Sequence, residues 1–156
     1  RSFSLEKCGE AFTTVNPPAI ENISSVVGTN GVQLLWNTLP NVAVEEYAVL
    51  RNQGNSDFAL IGKATIPEFS DITYSTEGAY CYRINYGDLC GNASQAGALV
   101  CPIRLSAALD DQNGITVTWT RLKGWKTGVN RYLLRRYDKS GGLMQTINMG
   151  TDTVYL

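Results

Sequence analysis

Six residues, Gly31-Val32-Gln33-Leu34-Leu35-Trp36, recur as Gly114-Ile115-Thr116-Val117-Thr118-Trp119 at an offset of 83. An internal repeat constrains the fold more than any single motif, because each copy must bury the same face in the same way. In both copies the alternate residues, Val32, Leu34 and Trp36 or Ile115, Val117 and Trp119, are apolar, while Gln33 or Thr116 faces away. Side chains alternate across a strand, so this period of two reads as a strand covering a core. The match continues from Tyr47-Ala48-Val49-Leu50-Arg51 to Tyr132-Leu133-Leu134-Arg135-Arg136 at offset 85, and from Ile61 and Phe69 to Ile147 and Tyr155 at offset 86. A drift of that size is what changes in loop length produce. In the opposite direction, Arg83 with Cys90-Gly91-Asn92-Ala93 matches Arg1 with Cys8-Gly9-Glu10-Ala11 at offset 82.

The repeat divides the 156 residues into three registers. Residues 1–16 read as the terminal strands of one module, 17–102 as a complete module, and 103–156 as a further module with no counterpart of Tyr80 to Val100. Turn clusters such as Gly28-Thr29-Asn30-Gly31 and Gly54-Asn55-Ser56-Asp57 separate short alternating strands, and no helix-period stretch of useful length occurs. The expected class is all-β, a tandem of β-sandwiches with the first and last truncated. Composition agrees, since 44% hydrophobic and 17% charged residues suit a packed body rather than a disordered chain or a coiled coil.

Charge and length exclude several function classes. The net charge is -1, too small to hold the chain on nucleic acid or an acidic membrane. Residues 1–102 carry five Lys/Arg against ten Asp/Glu and residues 103–156 carry eight against four, giving -5 and +4. The longest apolar run, Ala96 to Ile103, is far short of a membrane span and contains Gly97 and Pro102. There is no histidine, which removes His-based triads, His-ligated metals and the usual neutral-pH base. No cofactor is expected. The chain opens on Arg1 rather than Met, so a processed or excised piece of a longer protein is expected.

The middle register resembles a fibronectin type III domain, which is immunoglobulin-like. The resemblance rests on Pro17-Pro18-Ala19-Ile20, Val32-x-Leu34-x-Trp36, Tyr47-x-Val49 with Arg51, and Tyr80-x-Tyr82-Arg83-Ile84 followed by Asp88 and Ser94. The variant Tyr80-Cys81-Tyr82-Arg83-Ile84, Asp88-x-Cys90-Gly91-Asn92 and Cys101-Pro102-Ile103 is similar to tandem modules of large gliding-associated or type 9-secreted surface proteins of Bacteroidota. Trp36 and Trp119 are the expected core anchors, and Tyr80 is the candidate for a tyrosine corner. If strands near 79–86 and 95–101 pair about the turn from Gly87 to Ser94, Cys81 lies opposite Val100 or Cys101. A Cys81–Cys101 disulfide is therefore predicted, and an even cysteine count in small modules favours an oxidising compartment. Cys8 and Cys90 pair only if the amino-terminal segment folds back.

Candidate chemistry is sparse. Glu45/Glu46 and Asp110/Asp111 are adjacent on the chain and so diverge, which reads as solvated loop charge. Asp110-Asp111-Gln112-Asn113-Gly114 offers oxygen donors for calcium but lacks the twelve-residue loop and terminal Glu, so a turn is expected and no metal site. Serines have no Gly-x-Ser-x-Gly elbow, and Cys90 has no histidine to activate it. Asn22-Ile23-Ser24 and Asn92-Ala93-Ser94 are N-glycosylation triplets in a eukaryotic secretory setting, and Asp152-Thr153-Val154 resembles a bacterial O-glycosylation triplet.

The stretch Arg121-Leu122-Lys123-Gly124-Trp125-Lys126 interleaves basic and aromatic residues, with Arg131, Arg135, Arg136 and Lys139 beyond it. Arg121, Lys123, Trp125 and Lys126 form a candidate ligand loop between the second and third strands of their module, where a surface glycan or protein could be recognised. The competing reading folds Trp125 over the open edge of its own module. The expected function is a non-catalytic, extracellular or cell-surface multi-module scaffold acting as spacer, adhesion or interaction element. Its partners would be other modules of the same polypeptide, with no nucleic acid and no membrane insertion. The alternative is a set of accessory modules of a secreted glycan-active or proteolytic enzyme. The truncated last module would leave an open edge, so either further residues exist to complete it or strands from elsewhere do, as Phe3 to Val15 could across molecules by swapping.

Overall fold

The computed structural model describes residues 16–40, 42–88, 91–109, 111 and 114–156. The Phe3–Val15 segment, Cys8, Cys90, Asp110, Gln112 and Asn113 lie outside the described residues. The described chain is all-β, with eleven strands in small antiparallel sheets. No helix among the described residues is long and apolar enough to cross a membrane.

In the leading unit, β1 (Ile23–Gly28) and β2 (Gly31–Trp36) form a hairpin about Thr29-Asn30, and β5 (Glu68–Asp71) pairs with the other edge of β2. Gly31 takes a φ of 121°, in the left-handed region, and leaves that turn directly against the Asp71 carbonyl. A second sheet has the order β4-β3-β6, from β3 (Val44–Gln53), β4 (Ala59–Ala64) and β6 (Tyr80–Asp88). Alternation decides what faces inward: Val32, Leu34 and Trp36 from one sheet meet Tyr47, Val49, Tyr82, Ile84 and Tyr86 from the other. Ile20, Ile23 and Val100 close the ends of this core. Trp36 stands edge-on to Tyr47, with ring centroids 5.2 Å apart.

Tyr80 is half-buried at the start of β6, packed on Tyr74, beneath the Arg51 guanidinium and against the core, while Tyr82 is fully buried. Tyr80 pairs with Gln53 at the last step of β3. One expectation needs correction here: the strand over 95–101 is broken. Residues Tyr82 and Val100 exchange both backbone hydrogen bonds, at 2.7 and 3.0 Å. Between Ser94 and that pair the chain turns to Pro17–Ile20 instead: Gln95 N–H donates to Pro17 O and Ala98 N–H to Ile20 O, both at 2.8 Å. The Gly97 N–H goes to the Asn85 side chain rather than to the β6 backbone.

The trailing unit repeats this plan in space. β7 (Leu105–Leu109), β8 (Ile115–Trp119) and β11 (Val154–Tyr155) form a sheet ordered β11-β8-β7, and β9 (Tyr132–Tyr137) pairs with β10 (Leu143–Gly150). Leu34 opposite Phe69 recurs as Val117 opposite Tyr155, and Ile23 opposite Trp36 recurs as Leu105 opposite Trp119. The edge-on Trp–Tyr pair recurs too, as Trp119 and Tyr132 at 5.9 Å. What differs is cover: β3 is flanked by β4 and β6, whereas β9 has β10 alone among the described residues. Ile23 and Val32 are 0% and 2% exposed, but their counterparts Leu105 and Ile115 are 62% and 57% exposed.

A tryptophan truncated in a closed core loses both transfer free energy and packing, roughly 3–5 kcal/mol. Trp36→Ala is expected to unfold the leading unit by that margin, and Trp119→Ala to cost less because its surroundings are already open. Separate thermal melts of the two variants check this, and equal losses would contradict it.

Candidate functional site

Two places hold polar groups in fixed geometry. The first is Asp71, the one buried carboxylate among the described residues, at the end of β5. Its Oδ2 accepts from Arg51 Nη1 at 2.7 Å and from the Tyr82 hydroxyl at 2.8 Å, and its Oδ1 accepts from the Thr73 hydroxyl at 2.7 Å and the Thr73 N–H at 2.9 Å. Burial by itself would raise the Asp71 carboxyl, but the hydrogen bonds from Thr73, Tyr82 and Arg51 outweigh it and hold the group below the usual carboxylate range. Burial and the bond to Asp71 push the Tyr82 phenol far upward, so it stays a donor. With both oxygens doubly occupied, this carboxylate has no lone pair for a substrate proton. Its work is to join β3, β5 and β6 across the two sheets.

The second place is the loop between β8 and β9, built from its own ends. Trp119 and Tyr132 stack edge-on where the loop leaves and returns, and the Tyr132 hydroxyl accepts the Leu122 N–H at 3.0 Å. Gly124 and Gly128 take φ of 126° and 71°, which turn the chain back on itself, and Gly128 N–H donates to Trp125 O.

That loop seats on the leading unit. The Gly124 carbonyl accepts the Ile23 N–H at 3.0 Å, and Lys123 makes a backbone bridge to Cys101. A Cβ at Gly124 would lie 2.6 Å from Ile23 O and 2.9 Å from Val100 Cγ2, so the backbones touch as closely as glycine allows. Around this contact Trp125 Nε1 donates to Ser24 Oγ at 3.3 Å, Lys126 N–H to Asn22 Oδ1 at 3.3 Å, and Lys126 Nζ meets both Glu21 carboxylate oxygens at 2.9 Å. Trp125 therefore lies over the joint with the preceding unit rather than over the open edge of its own, as the competing reading had it. The exposed Lys126–Glu21 pair adds orientation more than energy. Both polar members of the Asn22-Ile23-Ser24 triplet are engaged at this joint, while in the other triplet Asn92 is held by the Asp88 carboxylate.

The disulfide Cys81–Cys101 is present, with Cα atoms 4.2 Å apart, and fastens the last residues of the leading unit to β6. On either side of Cys101, Val100 and Pro102 are buried. Arg121 and Lys123 are exposed at the start of the loop, while Trp125 is 46% exposed. Clefts of about 420 and 390 Å³ open on either side of Trp125, one toward Ser24 and Asn37, the other toward Ala19 and Leu99. Of the sequence-derived residues, the structure thus brings Trp125 and Lys126 together with Glu21, Asn22 and Ser24, which spacing could not have linked across a hundred positions. No family model and no curated protein matches the chain.

Because the folded Asp71 carboxyl lies below its unfolded value of about 4, its stabilisation is present above that pH and is lost as the pH falls through the folded value. Asp71→Asn is expected to lower stability by about 3 kcal/mol at pH 7, leaving Arg51 without its carboxylate counter-charge, and to flatten the loss of stability below pH ~4. Denaturant titrations of both proteins across that range measure it, and parallel pH profiles would contradict it.

Proposed function

We propose that the chain is part of an extracellular or cell-surface multi-module protein in which fibronectin type III-like sandwiches act as spacers and adhesion or interaction elements rather than as an enzyme. In this reading residues 1–16 are terminal strands of a preceding module, 17–102 a whole module and 103–156 the start of another. The observation that carries it is the joint: a glycine carbonyl, a tryptophan and a lysine of one unit are seated on the first strand of the unit before it. A scaffold needs a fixed angle between successive units, and an interface of backbone contacts supplies one. The sheet orders β1-β2-β5 and β4-β3-β6 support the fibronectin-like assignment, and the disulfide favours an oxidising compartment. A place in gliding motility or type 9 secretion rests on the motif resemblance alone.

A second reading, accessory modules of a secreted glycan-active or proteolytic enzyme, draws on the exposed Trp125 between its two clefts, since aromatic faces flanked by cations take up acidic sugars.

Small-angle scattering tests the first reading. The parent is expected to fit a single rigid arrangement of the two units, and Gly124→Val, which forces a side chain into Ile23 and Val100, a broad distribution of arrangements. A parent as flexible as the variant would sink the spacer reading. For the second, an acidic glycan array probed with the parent and with Trp125→Ala is expected to show binding that the variant loses, and equal signals would remove it.

A further inference from the structure

The cleft of about 420 Å³ on the Ser24 side of Trp125 is made by both units. Ser24 and Leu35 face each other across β1 and β2, and by alternation they point outward, since their neighbours Ile23 and Trp36 lie in the core. Asn22 and Asn37 stand just beyond them at the ends of the two strands, and the loop between β8 and β9 adds Trp125 and Thr127. No charged side chain lines this cleft. The one on the other side of Trp125 holds Glu21 and Lys126, which are paired with each other.

What the lining leaves free defines the ligand. The Asn37 amide and the Thr127 hydroxyl make no hydrogen bond among the described residues. Asn22 spends its Oδ1 on the Lys126 N–H and Ser24 its Oγ on the indole N–H, so the Asn22 Nδ2 group and the Ser24 O–H remain as donors. Beside them lie one indole, 46% exposed, and Leu35. Donors and acceptors around a single apolar plate match a ligand with one apolar face and a rim of hydroxyl groups, which is the chemistry of a sugar ring. An anionic sugar would find no cation lining this cleft, and a proline-rich peptide would need further aromatic rings to form its groove.

We propose that this cleft binds an uncharged hexose unit of a glycan, stacked on Trp125 and hydrogen-bonded to Asn37 and Thr127. It rests on the second reading, in which Trp125 serves a glycan, and adds the side of the indole and the charge of the sugar. The volume falls within the range of small-ligand sites, roughly 300–1,000 Å³. Leu35 and Asn37 belong to the leading unit and Trp125 and Thr127 to the trailing one, so a sugar held here touches both. Such a ligand binds only the closed joint, and its occupancy therefore favours the closed joint by the same factor that closure gives to binding.

The test is an NMR titration of the full chain with cellotetraose, laminaritetraose, mannotetraose and chitotetraose, beside tetragalacturonate and a proline-rich peptide. At least one uncharged tetrasaccharide is expected to bind with a millimolar Kd. Binding should shift the Trp125 indole N–H and the Asn37 side-chain amide, while the indoles of Trp36 and Trp119, 5% and 9% exposed, stay still. Asn37→Ala and Thr127→Val are each expected to weaken binding by about tenfold, the loss of one hydrogen bond, with melts like the parent's. Gly124→Val should abolish binding by parting the two walls, and Lys126→Met, which leaves this cleft intact, should not change it. No response to any of the four sugars, an Asn37→Ala variant that binds like the parent, loss of binding in Lys126→Met, or tighter binding of tetragalacturonate or the peptide would overturn the proposal. Tetragalacturonate bound by the parent and lost in Trp125→Ala, with no uncharged sugar bound, would overturn it while leaving the second reading standing.

Discussion

Tyr82 is the residue through which the leading unit is closed. Its backbone is paired on both sides, with Arg51 of β3 and with Val100, its ring is fully buried, and its hydroxyl crosses to Asp71 in the opposite sheet. Hydrophobic burial alone holds two sheets together but leaves them free to slide, since apolar contact is non-directional. A buried, fully satisfied hydrogen-bond cluster fixes one relative placement. The strand that carries Tyr82 also carries Cys81, so the same nine residues, Tyr80–Asp88, complete the sheet, pin it to its partner and anchor the following connection. The trailing unit contains the Trp–Tyr pair and the strand registers but no such strand among the described residues, and its apolar positions stand open accordingly.

Much of this was legible in the residues. The period of two in Val32, Leu34 and Trp36 is a local signal, and its recurrence at Ile115, Val117 and Trp119 correctly aligned two sheets residue by residue. The disulfide followed from counting around a turn, because antiparallel register is arithmetic once the hairpin is assumed. The arithmetic held although the second strand did not form as a continuous one: the pairing at Tyr82 and Val100 survives the excursion of residues 95–98 toward Pro17–Ile20.

What escaped was non-local and polar. Nothing in the spacing of Arg51, Asp71 and Tyr82 marks them as partners, since they sit on three strands and meet only when both sheets are stacked. Tyr80 has the same residue type and the same face as Tyr82, and the difference between them is two residues along a strand whose neighbour ends. The seat of Trp125 was hidden for a related reason. Loop side chains carry no periodicity, and the surface that receives this one belongs to residues 21–24, about a hundred positions earlier. Composition flagged the loop as unusual, but only geometry assigns it to a joint.

The placement of the Cys81–Cys101 bond bears on how tension would travel through such a chain. Pulled from its two ends, the leading unit is loaded at Pro17 and at Pro102, where the segments Pro17–Ile20 and Gln95–Ala98 lie parallel and would have to shear rather than unzip. Force arriving at Cys101 does not have to peel that outer segment away first, because the covalent link hands it to β6, a strand flanked by β3 on one side and by Val100 on the other. The hairpin of residues 81–101 is thereby spared extension, and the contour length released if the unit gives way is shortened by that closed loop.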